Sequence, residues 1–290
     1  MRILKMPLIA SVCTLFLLSV LSIWSPSFLR DTSGMLQVTF LDVGQGDAIF
    51  IESPSGTQIL IDGGKGNMVL GRLQTVLGFF DRDIDMVIAT HPDTDHIGGL
   101  IDVLDYYTVQ TILITENESE TPAFRAFKER VESEGGDVIY ARKGQVYDLG
   151  LGPKGSTTLN ILFPDRNPVD WESNTASIVG QLVYGTSEFL LTGDAPEEIE
   201  EYVVHTYGTQ LESDVLKAGH HGSRTSTGEL LVSVVQPTYA VISAGQDNSY
   251  GHPHLEVIER LTSYGAAMVS TAESGSITFV SDGVTTMLQE

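Results

Sequence analysis

The stretch Ala89–Leu100, ATHPDTDHIGGL, constrains this chain more than any other. It brings His91, Asp93, Asp95 and His96 together behind the apolar run Met86–Ala89 and ahead of Gly98-Gly99. The apolar run reads as a fully buried parallel strand, and Ile97–Tyr107 reads as a short helix. Ligand-type side chains at the carboxyl end of a strand, where a helix begins, sit where open α/β sheets carry out chemistry. Residues two apart in an extended loop point the same way, so His91 and Asp93 can share one ion. Asp95 and His96 are adjacent and diverge, which suits a second ion. The bland alternative is a solvated polar loop, but such loops rarely set ligand residues and a double glycine directly behind a buried strand.

Charge narrows the choice of partners. The chain has 290 residues and a formal net charge of −22. Arg2, Lys5 and Arg30 outweigh Asp31 in residues 1–34, so residues 35–290 carry the whole negative excess and slightly more. Such a surface repels polyanions and membrane headgroups unless bound cations or a local basic patch offset it. No Lys/Arg cluster is longer than Arg142-Lys143, so electrostatics alone do not suggest nucleic acid.

Residues 1–34 read as separate from the fold. Arg2 and Lys5 precede an apolar run from Pro7 to Trp24, the architecture of a secretory signal or signal anchor. The run is longer than a usual signal core and lacks a small-x-small cleavage site, which favours an uncleaved anchor. At about 1.5 Å per residue it just spans a bilayer core. A positively charged start places the amino terminus inside and the domain outside. Cys13, the only cysteine, lies in this run. The remainder therefore has no disulfide and no thiolate, and any metal must use imidazole and carboxylate.

Past residue 34 there is no internal repeat or long linker, and residues 35–290 read as one domain. Leu36–Val43, Ala48–Ser53 and Gln58–Asp62 read as a meander, and 66–80 as a helix. Val109–Thr115 is a strand, and Thr121-Pro122 opens a helix that Gly135-Gly136 stops. Strands follow at Val138–Ala141, Gln145–Leu149, Thr158–Phe163 and Ser177–Tyr184. Phe189–Asp194 is an apolar strand ending in an aspartate. Val215–Ala218 runs into Gly219-His220-His221-Gly222-Ser223, and two histidines between glycines are seldom a packing choice. Ser226 and Glu229 match a capping box, which would place a helix amino terminus near the site. Tyr239–Ala244 is a strand, and Leu255–Tyr264 is a helix behind Tyr250-Gly251-His252-Pro253-His254. Ala267–Leu288 reads as a hairpin closing the second sheet. His205 reads as structural and His254 as a surface residue.

HPDTDHIGG resembles the His-x-His-x-Asp-His signature of the metallo-β-lactamase-fold hydrolases, with Asp93 in place of the second histidine. LDVGQGDAIFI (41–51), LIDGG (60–64), LLTGDA (190–195), LKAGHHGS (216–223) and YGHPH (250–254) are similar to the extracytoplasmic metallo-β-lactamase domain of ComEC-type competence proteins. The resemblance covers about residues 35–290. It implies an α/β fold, a four-layer αββα sandwich behind one hydrophobic amino-terminal segment.

It also implies roles. Asp62 would orient a ligand histidine, and Asp194 would bridge two divalent cations, zinc or manganese given the oxygen-rich donors. One of His220 and His221 would complete the Asp95/His96/Asp194 site, and the other would serve the leaving group or a substrate oxygen. Catalysis would fall to Asp95, His220, His221 and His252, with His252 on the substrate side. Gln45 and Asp47 resemble a family feature whose role the residues do not reveal. A third histidine is expected near residue 174, but Asn174 stands there, to bind through its amide, hold substrate or cap a strand. Lys217 and Ser223 belong to the surroundings or the substrate side, and Lys217 and Arg224 are the cations able to guide a phosphate.

The implied activity is phosphodiester hydrolysis, of single-stranded DNA in connection with a DNA-uptake machinery at the membrane. The alternatives are a phosphodiesterase for a smaller cell-surface ester of the phosphocholine or teichoic-acid type, and a metal-binding but catalytically idle docking domain. Asp93 and the missing third histidine depart from the pattern of a β-lactamase proper.

Overall fold

The computed structural model describes residues 34–78 and 80–289, so the apolar run Pro7–Trp24 expected to be an anchor lies outside them. Among the described residues, no helix is long and apolar enough to cross a membrane.

The chain opens with the expected meander, β1 (Leu36–Phe40), β2 (Ile49–Glu52) and β3 (Gln58–Ile61), paired antiparallel. Helix α1 (Met68–Val76) leads to β4 (Asp83–Ala89), which pairs parallel to β3. Then come α2 (Thr94–Tyr106), β5 (Thr108–Ile114), α3 (Pro122–Glu134) and β6 (Asp137–Tyr140), continuing the sheet in parallel. The second sheet begins with antiparallel β7 (Val146–Gly152), β8 (Gly155–Phe163), β9 (Val179–Tyr184) and β10 (Ser187–Leu191). Helix α4 (Glu197–Tyr207), β11 (Val215–Lys217), α5 (Glu229–Val235), β12 (Tyr239–Ile242), α6 (Leu255–Ser263) and β13 (Ala267–Ser270) extend it in parallel. After α7 (Thr271–Ser274), β14 (Ile277–Ser281) and β15 (Thr286–Gln289) form a hairpin.

Side-chain alternation sorts the core into layers. On β2, Ile49 and Ile51 face the other sheet, while Phe50 faces the helices; on β3, Ile59 and Ile61 oppose Leu60 in the same way. One apolar cluster lies between the sheets, a second under α1, α2 and α3, and a third under α4, α5 and α6. The result is the four-layer αββα sandwich. The uninterrupted apolar run on β4 follows, because a strand covered on both faces has no polar side.

Two local expectations are corrected. Only β13 belongs to the second sheet; the hairpin β14–β15 joins the first, against β1. Helix α5 starts after Gly228 with no side-chain cap, and the hydroxyl of buried Ser226 donates to the Ala195 carbonyl. The Ser226–Glu229 pattern is thus not a capping box, and the amides of Thr227 and Gly228 just ahead of α5 donate to Glu200.

The double glycine marks a close approach. A Cβ on Gly99 would lie 2.0 Å from the Gly63 carbonyl oxygen, and one on Gly98 2.2 Å from that of Lys65. Helix α2 is therefore pressed onto the loop after β3, which fixes His96 over Asp62. The parallel strands β3 and β4 end on the same side as β10, β11 and β12, and the loops leaving those ends meet.

Candidate metal centre

Each histidine in this meeting place is oriented from behind. The Nδ1–H of His96 donates to Asp62 at 2.8 Å. The hydroxyl of Thr90 also donates to Asp62, at 2.7 Å, so its oxygen accepts the Nδ1–H of His91 at 3.0 Å. The Nδ1–H of His221 donates to the Ser243 carbonyl at 2.9 Å. In all three rings Nε2 is left as the acceptor. These three Nε2 atoms and Asp194 Oδ1 are buried with no hydrogen-bond partner.

They converge on Asp194 at the end of β10. Its Oδ2 lies 3.2 Å from His96 Nε2, 3.4 Å from His221 Nε2, 3.9 Å from His91 Nε2 and 3.8 Å from His220 Nε2. Asp95 Oδ2 stands 3.4 Å from His221 Nε2. Buried acceptors facing one another without donors repel, and a cation removes the conflict. The groupings His91/His96/Asp194 and Asp95/His96/His221 each bring one donor atom per residue within 4.8 Å of the others. The donor set fits divalent metal ions: His96 falls in both groupings, and Asp194 Oδ2 stands within 3.4 Å of Nε2 of both His96 and His221. His91 and His96 sit with ring centroids 4.0 Å apart, so the two halves of the centre adjoin.

The remaining residues are placed unequally. Asp93 Oδ2 stands 3.8 Å from His91 Nε2, as near as Asp194 does, and its other oxygen accepts from the Ser173 hydroxyl at 2.6 Å. His220 is partly exposed at the mouth, with Nδ1 3.3 Å from the Thr225 hydroxyl, so geometry sets His221 with the buried donors and His220 towards solvent. His252 lies over both, at ring distances of 5.6 and 6.4 Å. Asn174 is in a short 3-10 turn, and its Oδ1 is buried without a partner. The Ser223 hydroxyl is tied to Thr225 at 3.0 Å, and Arg224 is exposed 3.8 Å from Glu256. His205 bonds the Glu201 carbonyl of its own helix, while His254 accepts from the Arg224 amide.

Lys217 is fully buried, paired with Asp47, 2.9 Å from the Gly193 carbonyl oxygen and 3.6 Å from Asp194. It therefore cannot guide a phosphate inward; it is a fixed countercharge under the centre. Asp47 gives the GQGD turn its purpose, since it faces Lys217 and stands 3.4 Å from His221 Nδ1. Burial pushes the Asp47 carboxyl up, but Lys217 and His221 outweigh it and hold the group at about 2. Burial lowers the His221 imidazole, yet Asp194 and Asp47 raise it to about 9, an attraction for positive charge that a metal ion on Nε2 would satisfy in place of a proton. Burial, then the neighbouring His96, hold His91 down to about 3. Burial also lowers His252, to about 4, leaving it neutral at the mouth.

The turn carrying the histidine pair is strained and braced. His220 and His221 have φ of 48° and 57°, and Asp62 has φ of 59°, all in the left-handed region that side chains other than glycine seldom adopt. Glu200 on α4 holds the turn from behind by accepting the Thr227 and Gly228 amides at 2.6 and 2.7 Å. Burial pushes its carboxyl up from 4.5 to about 7, against those two amides. Between these values the folded chain keeps a proton that the unfolded chain has lost. The contribution to stability is complete at low pH and is lost as pH rises through about 7. Urea unfolding from pH 5 to 8 should show wild-type stability falling relative to Glu200→Gln; parallel profiles would contradict a buried, proton-holding Glu200.

The centre opens between two depressions. On the His91 side is a cleft of about 240 Å³ lined by Pro92, Phe124, Phe127, Glu116 and Lys128. On the Asp95 side is a groove of about 320 Å³ lined by Gln45, Lys65, Thr94, Asn248 and Tyr250.

Comparison with known proteins agrees with this geometry. The profile of the metallo-β-lactamase superfamily matches residues 41–246. ComE operon protein 3 of Bacillus subtilis is 30% identical over 84% of this chain and 33% of its own length. Recombination protein 2 of Haemophilus influenzae is 35% identical over 83% of this chain and 28% of its own. Competence protein ComA of Neisseria gonorrhoeae is 28% identical over 83% and 32%. The chain thus spans about a third of the length of these curated relatives. Among solved structures, the metallo-β-lactamase fold protein YhfI from Bacillus subtilis superposes with a TM-score of 0.55 at 12% identity, over 85% of this chain and 99% of that one. The metallo hydrolase Igni18 from Ignicoccus hospitalis gives 0.53 at 15% identity, over 84% and 98%. The chain belongs to the metallo-β-lactamase superfamily of metal-dependent hydrolases.

Proposed function

We propose that the domain is a metal-dependent phosphodiesterase displayed outside the cell membrane, acting on single-stranded DNA in connection with DNA uptake. The observation that carries the chemistry is the convergence of three inward Nε2 acceptors on Asp194. His91, His96, His221, Asp95 and Asp194 would hold the ions, two in number, with zinc or manganese as candidates. Divalent cations supply Lewis acidity toward a phosphoryl oxygen and make water nucleophilic near neutral pH. The polypeptide does the rest. Asp62, Thr90 and Ser243 fix the three imidazoles, and Lys217 with Asp47 sets the charge beneath them. His252, neutral at the mouth, can donate a hydrogen bond to a leaving oxygen but cannot act as a strong acid. His220 lies where it can contact a substrate oxygen.

The names of two relatives, a competence protein and a recombination protein, support a DNA substrate. The anchor, the outward topology and attachment to an uptake machinery rest on the positively charged start, its apolar run and that same relatedness. The net charge of −22 favours a second reading, a compact cell-surface phosphodiester that suffers less repulsion. The two readings separate on labelled oligonucleotides. A flexible single strand can bring one phosphate to the centre while the rest stays about a Debye length, ~8 Å at physiological salt, from the acidic surface. Single strands should be cut well above duplex, and moderate salt should help at first by screening repulsion. Hydrolysis of bis-p-nitrophenyl phosphate with no cleavage of any oligonucleotide would favour the compact ester.

A further inference from the structure

We propose that the groove on the Asp95 side is a strand-binding subsite, in which Tyr250 stacks a base beside the scissile phosphate and Lys65 meets the next phosphate. This deepens the phosphodiesterase reading and rests on it. Tyr250 is 64% exposed and lines the groove beside Asp95, so its ring is available to a ligand there. One face lies against His252, with centroids 5.6 Å apart and planes 23° from parallel, which leaves the other open. His252 in turn stands 6.4 Å from the His221 ring, so Tyr250 ends a short line of rings leading to the buried centre.

The loop is held in place rather than free. Asn248 bonds the Gly245 and His252 carbonyls at 2.8 and 2.7 Å and accepts from the His252 amide at 2.9 Å. Gln45 accepts from the Gly245 amide at 3.2 Å, bracing the loop on the GQGD turn. Lys65 lines the same groove, exposed and without a carboxylate partner among the described residues. The opposite cleft differs. There Lys128 is spent on Glu118 at 2.8 Å and Glu116 is paired with Arg142, so no cation is left for a phosphate. Asp247 also lines the Asp95-side groove and opposes an anion. Stacking, which needs no charge and tolerates any base, therefore carries most of the affinity.

The test uses the full chain with manganese, an oligothymidylate, the same oligonucleotide with abasic sites, and bis-p-nitrophenyl phosphate. For Tyr250→Ala, the ratio of oligonucleotide to bis-p-nitrophenyl phosphate kcat/KM should fall about tenfold, equivalent to about 1.4 kcal/mol. The loss should lie in KM; Tyr250→Phe should restore the ratio, and wild type and variant should treat the abasic strand alike. Irradiation of a 5-iododeoxyuridine oligonucleotide bound to the protein should leave an adduct on Tyr250, read by mass spectrometry. An unchanged ratio in a wild type that cleaves DNA, or adducts only on the Phe124–Phe127 side, would overturn the subsite alone. A wild type that cleaves no oligonucleotide would overturn the DNA reading and the subsite with it.

Discussion

Asp194→Ala should strip the bound metal from the protein and lower phosphodiesterase kcat/KM by at least about a thousandfold. Removing a single preorganised electrostatic group at a catalytic centre already costs ~10²–10³. Asp194 is placed to do more, because its carboxylate stands within 4 Å of four imidazoles and of Lys217. The domain should still fold, since the three apolar clusters lie between layers and include no part of this side chain. Asp194→Asn keeps the shape and tests charge alone; it should lose metal almost as completely. Elemental analysis with circular dichroism checks both variants. A folded Asp194→Ala protein with full metal content and activity would remove Asp194 from the centre.

The second large effect is structural. Gly99→Ala should destabilise the domain by more than ~4 kcal/mol, beyond the usual range for a single substitution. The added methyl would stand 2.0 Å from the Gly63 carbonyl and 2.7 Å from that of Gly66, and backbone on both sides cannot swing aside as a side chain could. Relief requires α2 to lift, and α2 carries His96. Chemical denaturation should show the loss, and any folded remainder should bind metal weakly. Gly71→Ala is the control, because a Cβ there meets nothing within 4 Å. Equal stability of the two variants would contradict the close approach.

The double glycine shows how far sequence reasoning reached. Its position behind the histidine loop was readable as a signal, because the strand, loop and helix are contiguous. The reason for it, contact with the loop after β3, is a long-range fact that no local pattern encodes. Asp47 and Lys217 follow the same logic: one sits in a turn and the other on an apolar strand, and only the apposition of the two sheets makes them a buried pair. Lys217 read as a phosphate guide because lysines are rarely fully buried unless paired, and its partner is distant in sequence. Asp62 could be assigned only through family resemblance, since a turn aspartate and an orienting aspartate look alike until His96 is above it. Two-residue periodicity identifies β14 and β15 as strands without naming their neighbour, so their place against β1 in the first sheet is not legible locally. Ser226-x-x-Glu229 matched a cap, but its serine was drawn inward to Ala195 while Glu200 took the amides of Thr227 and Gly228.

The most direct test is to return metal to the stripped full chain and follow cleavage of a labelled single-stranded oligonucleotide. Wild type should be inert after chelation and regain phosphodiester cleavage as manganese or zinc fills the centre, with activity tracking metal content and Asp194→Ala silent throughout. Cleavage that persists in chelator, or a fully metallated protein that cuts neither DNA nor bis-p-nitrophenyl phosphate, would contradict a metal-dependent phosphodiesterase.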